Sequence, residues 1–268
     1  MELSNKVIVI TGAASGIGEA LAIRFAKDKP AALVLTDLPA QQAALDAVAT
    51  KLGDAGNDGP TVMVHAADVG QESQVQALTA AALERFGQID LFCSNAGIIR
   101  DGSEHAPDAE WDLNFQIHVM AHVYAARAVV PAMVAAGGGY LLNTASAAGL
   151  ITSLPSATYA VSKHAAIAFA EYLSIRHGDS GVRVSVLCPQ AVATPMIEGR
   201  QGAMAAANDG VMTPADLADC VVAGLATEQF LILPHADVLT YFQRKAQDYD
   251  RWLGGMRRFA KRLGITGG

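Results

Sequence analysis

The chain has 268 residues, of which 51% are apolar and 17% are charged, and its net charge is −7. This length and composition predict one globular α/β domain over residues 1–268 that buries a large core. The acidic balance argues against nucleic acid or an anionic membrane as the main partner.

Cysteine usage and the N-terminal segment indicate the compartment. Cys93, Cys188 and Cys220 have neither an even count nor the spacing of metal ligands, which predicts free thiols in a reducing environment and no metal site. The start of the chain, MELSNKVIVITG, has a four-residue apolar run, too short for a secretory signal. No run approaches the roughly 18 apolar residues of a membrane span. We therefore expect a cytoplasmic protein.

Seven apolar runs alternate with helical segments along the chain. Within the runs, apolar residues follow one another without alternation, as expected for strands that are covered on both faces. This pattern predicts a Rossmann-type, doubly wound parallel sheet of seven strands with helices on both faces. The predicted strands are residues 7–12, 32–37, 61–69, 89–97, 140–146, 182–189 and 230–234.

The first predicted strand runs directly into the glycine-rich segment TGAASGIG and then into a helix. A strand, a glycine-rich turn and a helix N-terminus together direct backbone N–H groups and the helix dipole at a pyrophosphate. The candidate cofactor-binding residues here are Gly12, Ser15, Gly16, Ile17 and Gly18. The spacing G-x-x-x-G-x-G differs from the general G-x-G-x-x-G fingerprint, and a tight turn that only needs flexible glycines is the alternative.

Asp37 ends the second predicted strand, about 20 residues after the glycines, where a carboxylate can accept both hydroxyls of an adenine ribose. A 2′-phosphate at that place would meet a like charge. No Arg or Lys lies within residues 11–18 or directly after Asp37 to bind such a phosphate. These observations predict NAD rather than NADP, bound by Asp37 and the adjacent Leu38. If Asp37 instead caps a helix, the prediction of the cofactor is weaker.

Four further segments resemble motifs of the short-chain dehydrogenase/reductase family. They are ADV at residues 67–69, NAG at 95–97, NTASAAG at 143–149 and YAVSK at 159–163. Each is weak alone, but together with the glycine-rich turn they are specific, and the resemblance covers about residues 5–234. It implies that further residues contact the cofactor: Asp68, Val69, Asn95, Ala96, Gly97, Tyr159, Lys163, Pro189, Val192 and Thr194.

The resemblance implies a catalytic group of Ser146, Tyr159 and Lys163. Oxidising a secondary alcohol moves a hydride to the nicotinamide and a proton to an acid/base group, which is Tyr159 in this family. A phenol is a poor base near neutral pH, so we expect the Lys163 ammonium and the positive nicotinamide to lower the pKa of Tyr159. Ser146 would hydrogen-bond the substrate oxygen, and Lys163 would also bind the nicotinamide ribose.

A second Tyr-x-x-x-Lys pair, Tyr241 and Lys245, lies beyond the last predicted strand. On a helix this spacing brings the two side chains to one face in either pair, so the spacing does not distinguish them. Only Tyr159 and Lys163 follow a strand that carries a serine, at the sheet edge where ligands bind. We therefore expect Tyr241 at the surface or in packing.

Position 118 departs from the family pattern. The family usually has an asparagine at the end of a W-x(6)-N motif, and the same count from Trp111 leads to His118. That asparagine normally holds a water that links the lysine to solvent, and a histidine can also donate and accept protons. Three interpretations are open: His118 takes over this relay, it is a packed structural histidine, or catalysis is altered.

A second departure is Gln190, which replaces the glycine of the family's usual Pro-Gly pair after the sixth strand. Gln190 either reads the substrate or fills space against the backbone. The segment 190–212 is rich in small residues and contains Met196, Met204 and Met212. A mobile apolar segment of this kind suits a lid over a hydrophobic substrate, and Met196 is the candidate contact.

The C-terminal tail, residues 235–268, differs from the rest of the chain. It carries seven basic and three acidic side chains, a net charge of +4, which leaves −11 on the remainder. Apolar residues recur at steps of three and four from Leu239 to Leu263, which predicts a helical extension broken at Gly254–Gly255. The extension either packs its apolar face on the acidic body, closes over the active site or contacts another subunit.

Together, these features predict an NAD-dependent dehydrogenase that interconverts a lipophilic secondary alcohol and its ketone. We expect an aromatic, steroid-like or alicyclic small molecule, since residues 190–212 offer few polar groups to read a sugar. The alternative is a catalytically weak NAD-binding regulator, favoured only by the loss of the asparagine at position 118. The resemblance also implies a homo-oligomer, a tetramer or a dimer, built through helices 108–136 and 156–176.

Overall fold

The computed structural model describes residues 1–53, 59–198, 207 and 210–265. Within these residues, seven parallel strands form one sheet in the order β3-β2-β1-β4-β5-β6-β7. The prediction of a doubly wound parallel sheet is confirmed. The strands are β1 (Val7–Thr11), β2 (Ala32–Thr36), β3 (Thr61–Val64), β4 (Leu91–Ser94), β5 (Gly139–Thr144), β6 (Val182–Leu187) and β7 (Leu231–Ile232).

Helices cover both faces of the sheet, because alternate residues of each buried strand point to opposite sides. In β1, for example, Ile8 and Ile10 join one hydrophobic core and Val9 joins the other. The α-helices of the described chain are α1 (Gly16–Ala26), α2 (Gln42–Gly53), α3 (Glu72–Phe86), α4 (Asp108–Phe115), α5 (Ala121–Ala135), α6 (Ala148–Ile151), α7 (Ala157–His177), α8 (Pro214–Ala226), α9 (Asp237–Gln247) and α10 (Tyr249–Arg262). Helices α1, α2 and α8 cover one core, and α3, α5 and α7 cover the other.

The strand order creates a crevice at one edge of the sheet. After β3 the chain returns to the centre and adds β4 on the other side of β1. Ligands of such sheets bind at the carboxyl ends of the strands that flank this reversal. Thr11 holds the ends of β1 and β4 together, since its hydroxyl accepts hydrogen bonds from the N–H groups of Asn95 and Ala96 at 2.9 and 3.0 Å.

A π-helical turn, Gln116–Met120, joins α4 and α5 into one continuous helical stretch. Among the described residues, this stretch, Asp108–Ala135, is the one helix whose length and composition would suit a membrane span. Its second half packs on the sheet instead, with Val129 and Met133 almost fully buried in the core. Its apolar character is therefore that of a core helix.

The C-terminal extension forms two helices, α9 and α10. The break between them does not lie where the sequence predicts it. Helix α10 continues through Gly254 and Gly255, so the predicted break at the glycines is wrong. A glycine inside a helix costs about 1 kcal/mol but does not remove a backbone hydrogen bond. The break lies at Asp248, where the backbone is extended and the carboxylate accepts from the Arg251 N–H at 2.9 Å.

Candidate active site

A cavity of about 1520 Å³ opens at the carboxyl ends of the strands. Three residues predicted to contact the substrate, Ser146, Gln190 and Met196, line it. All the residues predicted to contact the cofactor line it too, except Gly18. They are Gly12, Ser15, Gly16, Ile17, Asp37, Leu38, Asp68, Val69, Asn95, Ala96, Gly97, Tyr159, Lys163, Pro189, Val192 and Thr194.

Close packing explains the glycines of the turn after β1. Gly12 has a φ of +68°, and a Cβ there would lie 2.9 Å from the Cα of Ala96. A Cβ on Gly18 would lie 2.0 Å from the carbonyl oxygen of Gly12. Gly18 therefore lets α1 approach the turn, while Gly12 leaves the backbone of the turn open to the cavity.

The carboxylate of Asp37 is held beside this turn. Its Oδ2 accepts from the Ala14 N–H at 3.1 Å, and its Oδ1 accepts from the Leu38 N–H at 2.8 Å. The short 3-10 helix Pro39–Gln41 has Leu38 as its N-cap, so Asp37 is not the cap of that helix. A carboxylate fixed in this way keeps lone pairs that can accept from two ribose hydroxyls.

Asn95 and Asp68 line the cavity, but the hydrogen bonds of their side chains go to the chain itself. The Asn95 amide donates to the Thr11 carbonyl at 3.0 Å and accepts from the Thr144 hydroxyl at 3.1 Å. The Asp68 carboxylate accepts from the Gly70 N–H at 2.9 Å. These contacts hold the ends of β1, β4 and β5, and the turn before α3, in the positions that shape the cavity.

Tyr159 and Lys163 lie one turn apart at the start of α7. Ser156 caps this helix, since its hydroxyl accepts from the Tyr159 N–H at 3.1 Å. The buried Lys163 donates from Nζ to the Thr144 carbonyl at 3.0 Å, and Nζ lies 5.6 Å from the centroid of the Tyr159 ring. Ser146 follows β5 and hydrogen-bonds the Tyr159 phenol. The fold thus brings the three predicted catalytic side chains together.

Burial controls the charges of this group. It raises the pKa of Tyr159 above the usual value, and the hydrogen bond with Ser146 offsets only part of the increase. Burial also lowers the pKa of Lys163 to about 7. Both shifts have the same cause, since burial favours the neutral form of each side chain. The lowering of the Tyr159 pKa by Lys163 together with the positive nicotinamide stays a prediction.

His118 is fully buried in the π-helical turn and does not line the cavity. Its Nε2 accepts from the Ile98 N–H at 3.2 Å, so Nδ1 carries the proton and donates to the Ser162 hydroxyl at 2.9 Å. Burial, and then the charge of Lys163, hold the pKa of His118 well below its usual value. Both ring nitrogens are engaged, which favours the packed structural histidine. The relay stays a prediction.

Part of the predicted lid, residues 190–212, is described, whereas Met204 lies outside the described residues. Met196 lines the cavity beside the substrate end. Gln190 also lines it, and its backbone N–H donates to His235 Nδ1 at 3.2 Å. This contact fixes the backbone after β6. Recognition of the substrate by the Gln190 side chain stays a prediction.

The C-terminal extension, for which the sequence leaves three interpretations open, contributes to the cavity wall. Tyr241, expected at the surface or in packing, lies on that wall with its ring centroid 6.5 Å from that of Trp252. The buried Lys245 ties α9 to α6, since its Nζ donates to the Leu150 carbonyl at 2.6 Å. Of the three interpretations, closure over the active site fits best. One feature of the sequence could have indicated this position. Residues 249–262 have an amphipathic pattern whose polar face carries arginines.

Comparison with known proteins agrees with this geometry. The family model of short chain dehydrogenases matches residues 6–204. The 1-deoxy-11-beta-hydroxypentalenate dehydrogenase of Streptomyces exfoliatus is 35% identical over 243 residues, which are 88% of this chain and 86% of that protein.

Solved structures of short-chain dehydrogenases also resemble this chain. A short chain dehydrogenase/reductase from Burkholderia phymatum, in complex with NAD, has a TM-score of 0.84 at 30% identity, over 93% of this chain and 96% of that one. The L-sorbose reductase of Gluconobacter frateurii, complexed with NADPH and L-sorbose, has a TM-score of 0.74 at 28% identity, over 84% and 91%. With its parallel sheet, its glycine-rich turn and the matched family model, this chain belongs to the short-chain dehydrogenase family.

Proposed function

We propose that this protein is an NAD-dependent oxidoreductase that interconverts a lipophilic secondary alcohol and its ketone. One observation carries the proposal: Ser146, Tyr159 and Lys163 line the same cavity as the glycine-rich turn and Asp37. The reaction needs a hydride carrier and a proton-transfer group at adjacent atoms of one substrate. A shared cavity supplies that proximity.

The residues around the turn fit a nicotinamide dinucleotide. The turn presents open backbone at Gly12, and the fixed carboxylate of Asp37 suits two ribose hydroxyls while opposing a 2′-phosphate. When bound, NAD supplies the ring that accepts or donates the hydride. The relative from Burkholderia phymatum binds NAD, whereas the L-sorbose reductase binds NADPH. The preference for NAD therefore rests on Asp37.

The chain's own side chains would handle the proton. The Ser146 hydroxyl, in a buried position, donates to the substrate oxygen and holds it beside Tyr159. As a neutral phenol, Tyr159 gives its proton to a ketone oxygen in the direction of reduction. In the direction of oxidation it takes the proton of the alcohol as a phenolate, which a Lys163 ammonium one turn away stabilises. Burial of the phenol favours the form that reduction requires.

Apolar side chains favour a lipophilic substrate. Ile151, Leu154 and Met196 line the cavity together with Ser146, and Trp252 lines it from the extension. Such walls exclude water from the reacting group, which strengthens the hydrogen bonds to the substrate oxygen. A substrate with several hydroxyls would leave them without partners along these walls.

The substitution Tyr159→Phe tests the proposal. We expect turnover to fall by about 100-fold or more, because acid–base catalysis by one positioned group contributes about 10² to 10⁴. The measurement is NADH formation with a panel of aromatic, alicyclic and steroid secondary alcohols, repeated with NADP. Tyr172→Phe, at a position on α7 that is 59% exposed, should keep the activity of the unaltered protein. Binding of NAD without turnover of any alcohol would instead identify a regulator.

A further inference from the structure

Four arginines of the C-terminal extension line the active-site cavity: Arg244, Arg251, Arg258 and Arg262. The three on α10 follow one another at steps of seven and four residues, which places them along one face of the helix. Arg257 and Lys261 of the same helix do not line the cavity. The arginine face is therefore directed at the cavity, and other basic residues of α10 are not.

These guanidinium groups have no acidic partner within the part of the chain that the structure describes. One of them, Arg262, lies over the ring of Phe259, 5.3 Å from its centroid, which leaves its N–H groups available. The arginines that form ion pairs among the described residues are Arg24, Arg100, Arg127 and Arg183. Unpaired arginines on a cavity wall attract an anion.

Four aspartates line the same cavity as these four arginines, and three of them belong to the body of the protein. Asp37 and Asp68 follow β2 and β3, beside the glycine-rich turn. Asp101 lines the cavity after β4, and Asp248 caps the backbone at the start of α10. The extension carries +4 on a chain whose remainder carries −11. An anion that enters the cavity is therefore repelled by the body of the protein and attracted by the extension.

Arg244 lies on the same side of the cavity as Ser146. Lys245, next to Arg244, donates to the carbonyl of Leu150, and Leu150 belongs to α6, which follows Ser146. Asp37 instead follows β2, three strands away from β5 in the sheet order. Helix α9 therefore lies on the side on which Ser146 would receive the substrate, away from the adenosine end of the proposed cofactor site.

We propose that these arginines bind a carboxylate of the substrate, so that the substrate is a lipophilic hydroxy acid or the corresponding keto acid. This inference rests on the proposed dehydrogenase activity of the same cavity. A guanidinium presents a planar fork that pairs with a carboxylate through two parallel hydrogen bonds. Trp252, Met256 and Phe259 line the cavity beside the arginines and cover the hydrocarbon frame between the acid group and the reacting carbon.

Paired substrates test the inference. Alicyclic secondary alcohols that carry a carboxylate are compared with their methyl esters, which keep the shape and remove the charge. We expect kcat/KM for the acid to exceed that for the ester by about tenfold or more, with a preference that declines as salt is added. Equal kcat/KM for acid and ester in the unaltered protein would overturn the inference.

Arginine variants locate the effect. In the double variant Arg244→Gln, Arg251→Gln, we expect the preference for the acid to fall at least about fivefold, through KM, while kcat/KM for the ester and the KM for NAD stay unchanged. The matched control combines Arg257→Gln with Lys261→Gln, which removes the same number of charges from α10 outside the cavity. An equal loss in this control would overturn the inference, because it would show an effect of net charge alone.

Binding without turnover gives a second measurement. In a Trp111→Phe background, Trp252 is the remaining tryptophan and reports ligands under α10 by its fluorescence. We expect adamantane-1-carboxylate to change this signal at lower concentration than adamantane-1-carboxamide, and the double variant to abolish the difference. Carboxylate binding with no turnover of any alcohol would overturn the dehydrogenase proposal and keep the anion site. Turnover of neutral alcohols with no preference for acids would overturn the anion site and keep the dehydrogenase proposal.

Discussion

Lys163 is a buried lysine whose charge depends on pH near neutrality. It is 3% exposed, and burial lowers the pKa of its ammonium to about 7. The Thr144 carbonyl accepts one of its hydrogen bonds at 3.0 Å, which is too little to replace full hydration of an ammonium. A side chain placed at such a cost fits a catalytic position better than a structural one.

This burial makes the stability of the protein depend on pH. The pKa of Lys163 is about 7 when folded, against an ordinary value of 10.5, so the unfolded chain binds more protons between these pH values. Stability therefore rises with pH across this window, and Lys163→Met removes the contribution. Thermal melts followed by circular dichroism should show the unaltered protein gaining in Tm relative to Lys163→Met from about pH 7 to about pH 10. A gap that stays constant with pH, or a similar trend in the exposed control Lys261→Met, would contradict this.

The π-helical turn Gln116–Met120 lies between α4 and α5, and its His118 side chain contacts both the loop after β4 and α7. A π-turn inserts one residue into a helix and commonly marks a functional site. Here it directs His118 inward, between the Ile98 N–H and the Ser162 hydroxyl. Ser162 donates in turn to the carbonyl of Tyr159 at 3.1 Å. The turn therefore supports the helix that carries the phenol, and its side chain need not titrate.

His118→Ala should slow turnover and lower Tm, because the Ile98 N–H and the Ser162 hydroxyl lose their partner. We expect the apparent pKa of the pH–rate profile to stay unchanged, since His118 is neutral with both nitrogens engaged. His118→Asn should restore much of the activity, because an amide can accept from Ile98 and donate to Ser162. A shifted profile in His118→Ala would favour the proton relay instead.

At the scale of the whole molecule, the packed helices α4 and α7 together expose five large apolar side chains. On α7, Val161, Tyr172 and Ile175 are exposed, and on α4 Leu113 and Phe115 are exposed. These helices correspond to the segments 108–136 and 156–176 that the family resemblance assigns to subunit contacts. A concentration of large apolar side chains on one face is typical of a protein interface, so a dimer or a tetramer remains our expectation.

The substitution Ile175→Glu tests whether the protein forms an oligomer through α7. Ile175 is 84% exposed, so a charge there costs an isolated subunit little but would be buried in an oligomer through α7. We expect light scattering coupled to size-exclusion chromatography to show a smaller particle for Ile175→Glu than for the unaltered protein. The control is Ile23→Glu on α1, in the opposite layer. A monomeric unaltered protein would refute the expectation.

The sequence by itself determined the fold and the position of the catalytic group. Strands covered on both faces appear as uninterrupted apolar runs, and the turn after β1 appears as closely spaced glycines, because both depend on residues near one another in the chain. Ser146, Tyr159 and Lys163 were predicted from the motifs that resemble the family, and these motifs are also short segments of the chain.

Only the tertiary structure decided the charges of that group and the extent of the cavity. Burial, which raises the pKa of Tyr159 and lowers that of Lys163, is a property of everything packed around them. The two partners of His118 come from the loop after β4 and from α7, and α9 reaches α6 through Lys245. Such contacts join residues far apart in the chain, so local spacing does not encode them. For the same reason, the sequence pattern of α10 is equally typical of a solvated helix face, and only the fold places its arginines on the cavity wall.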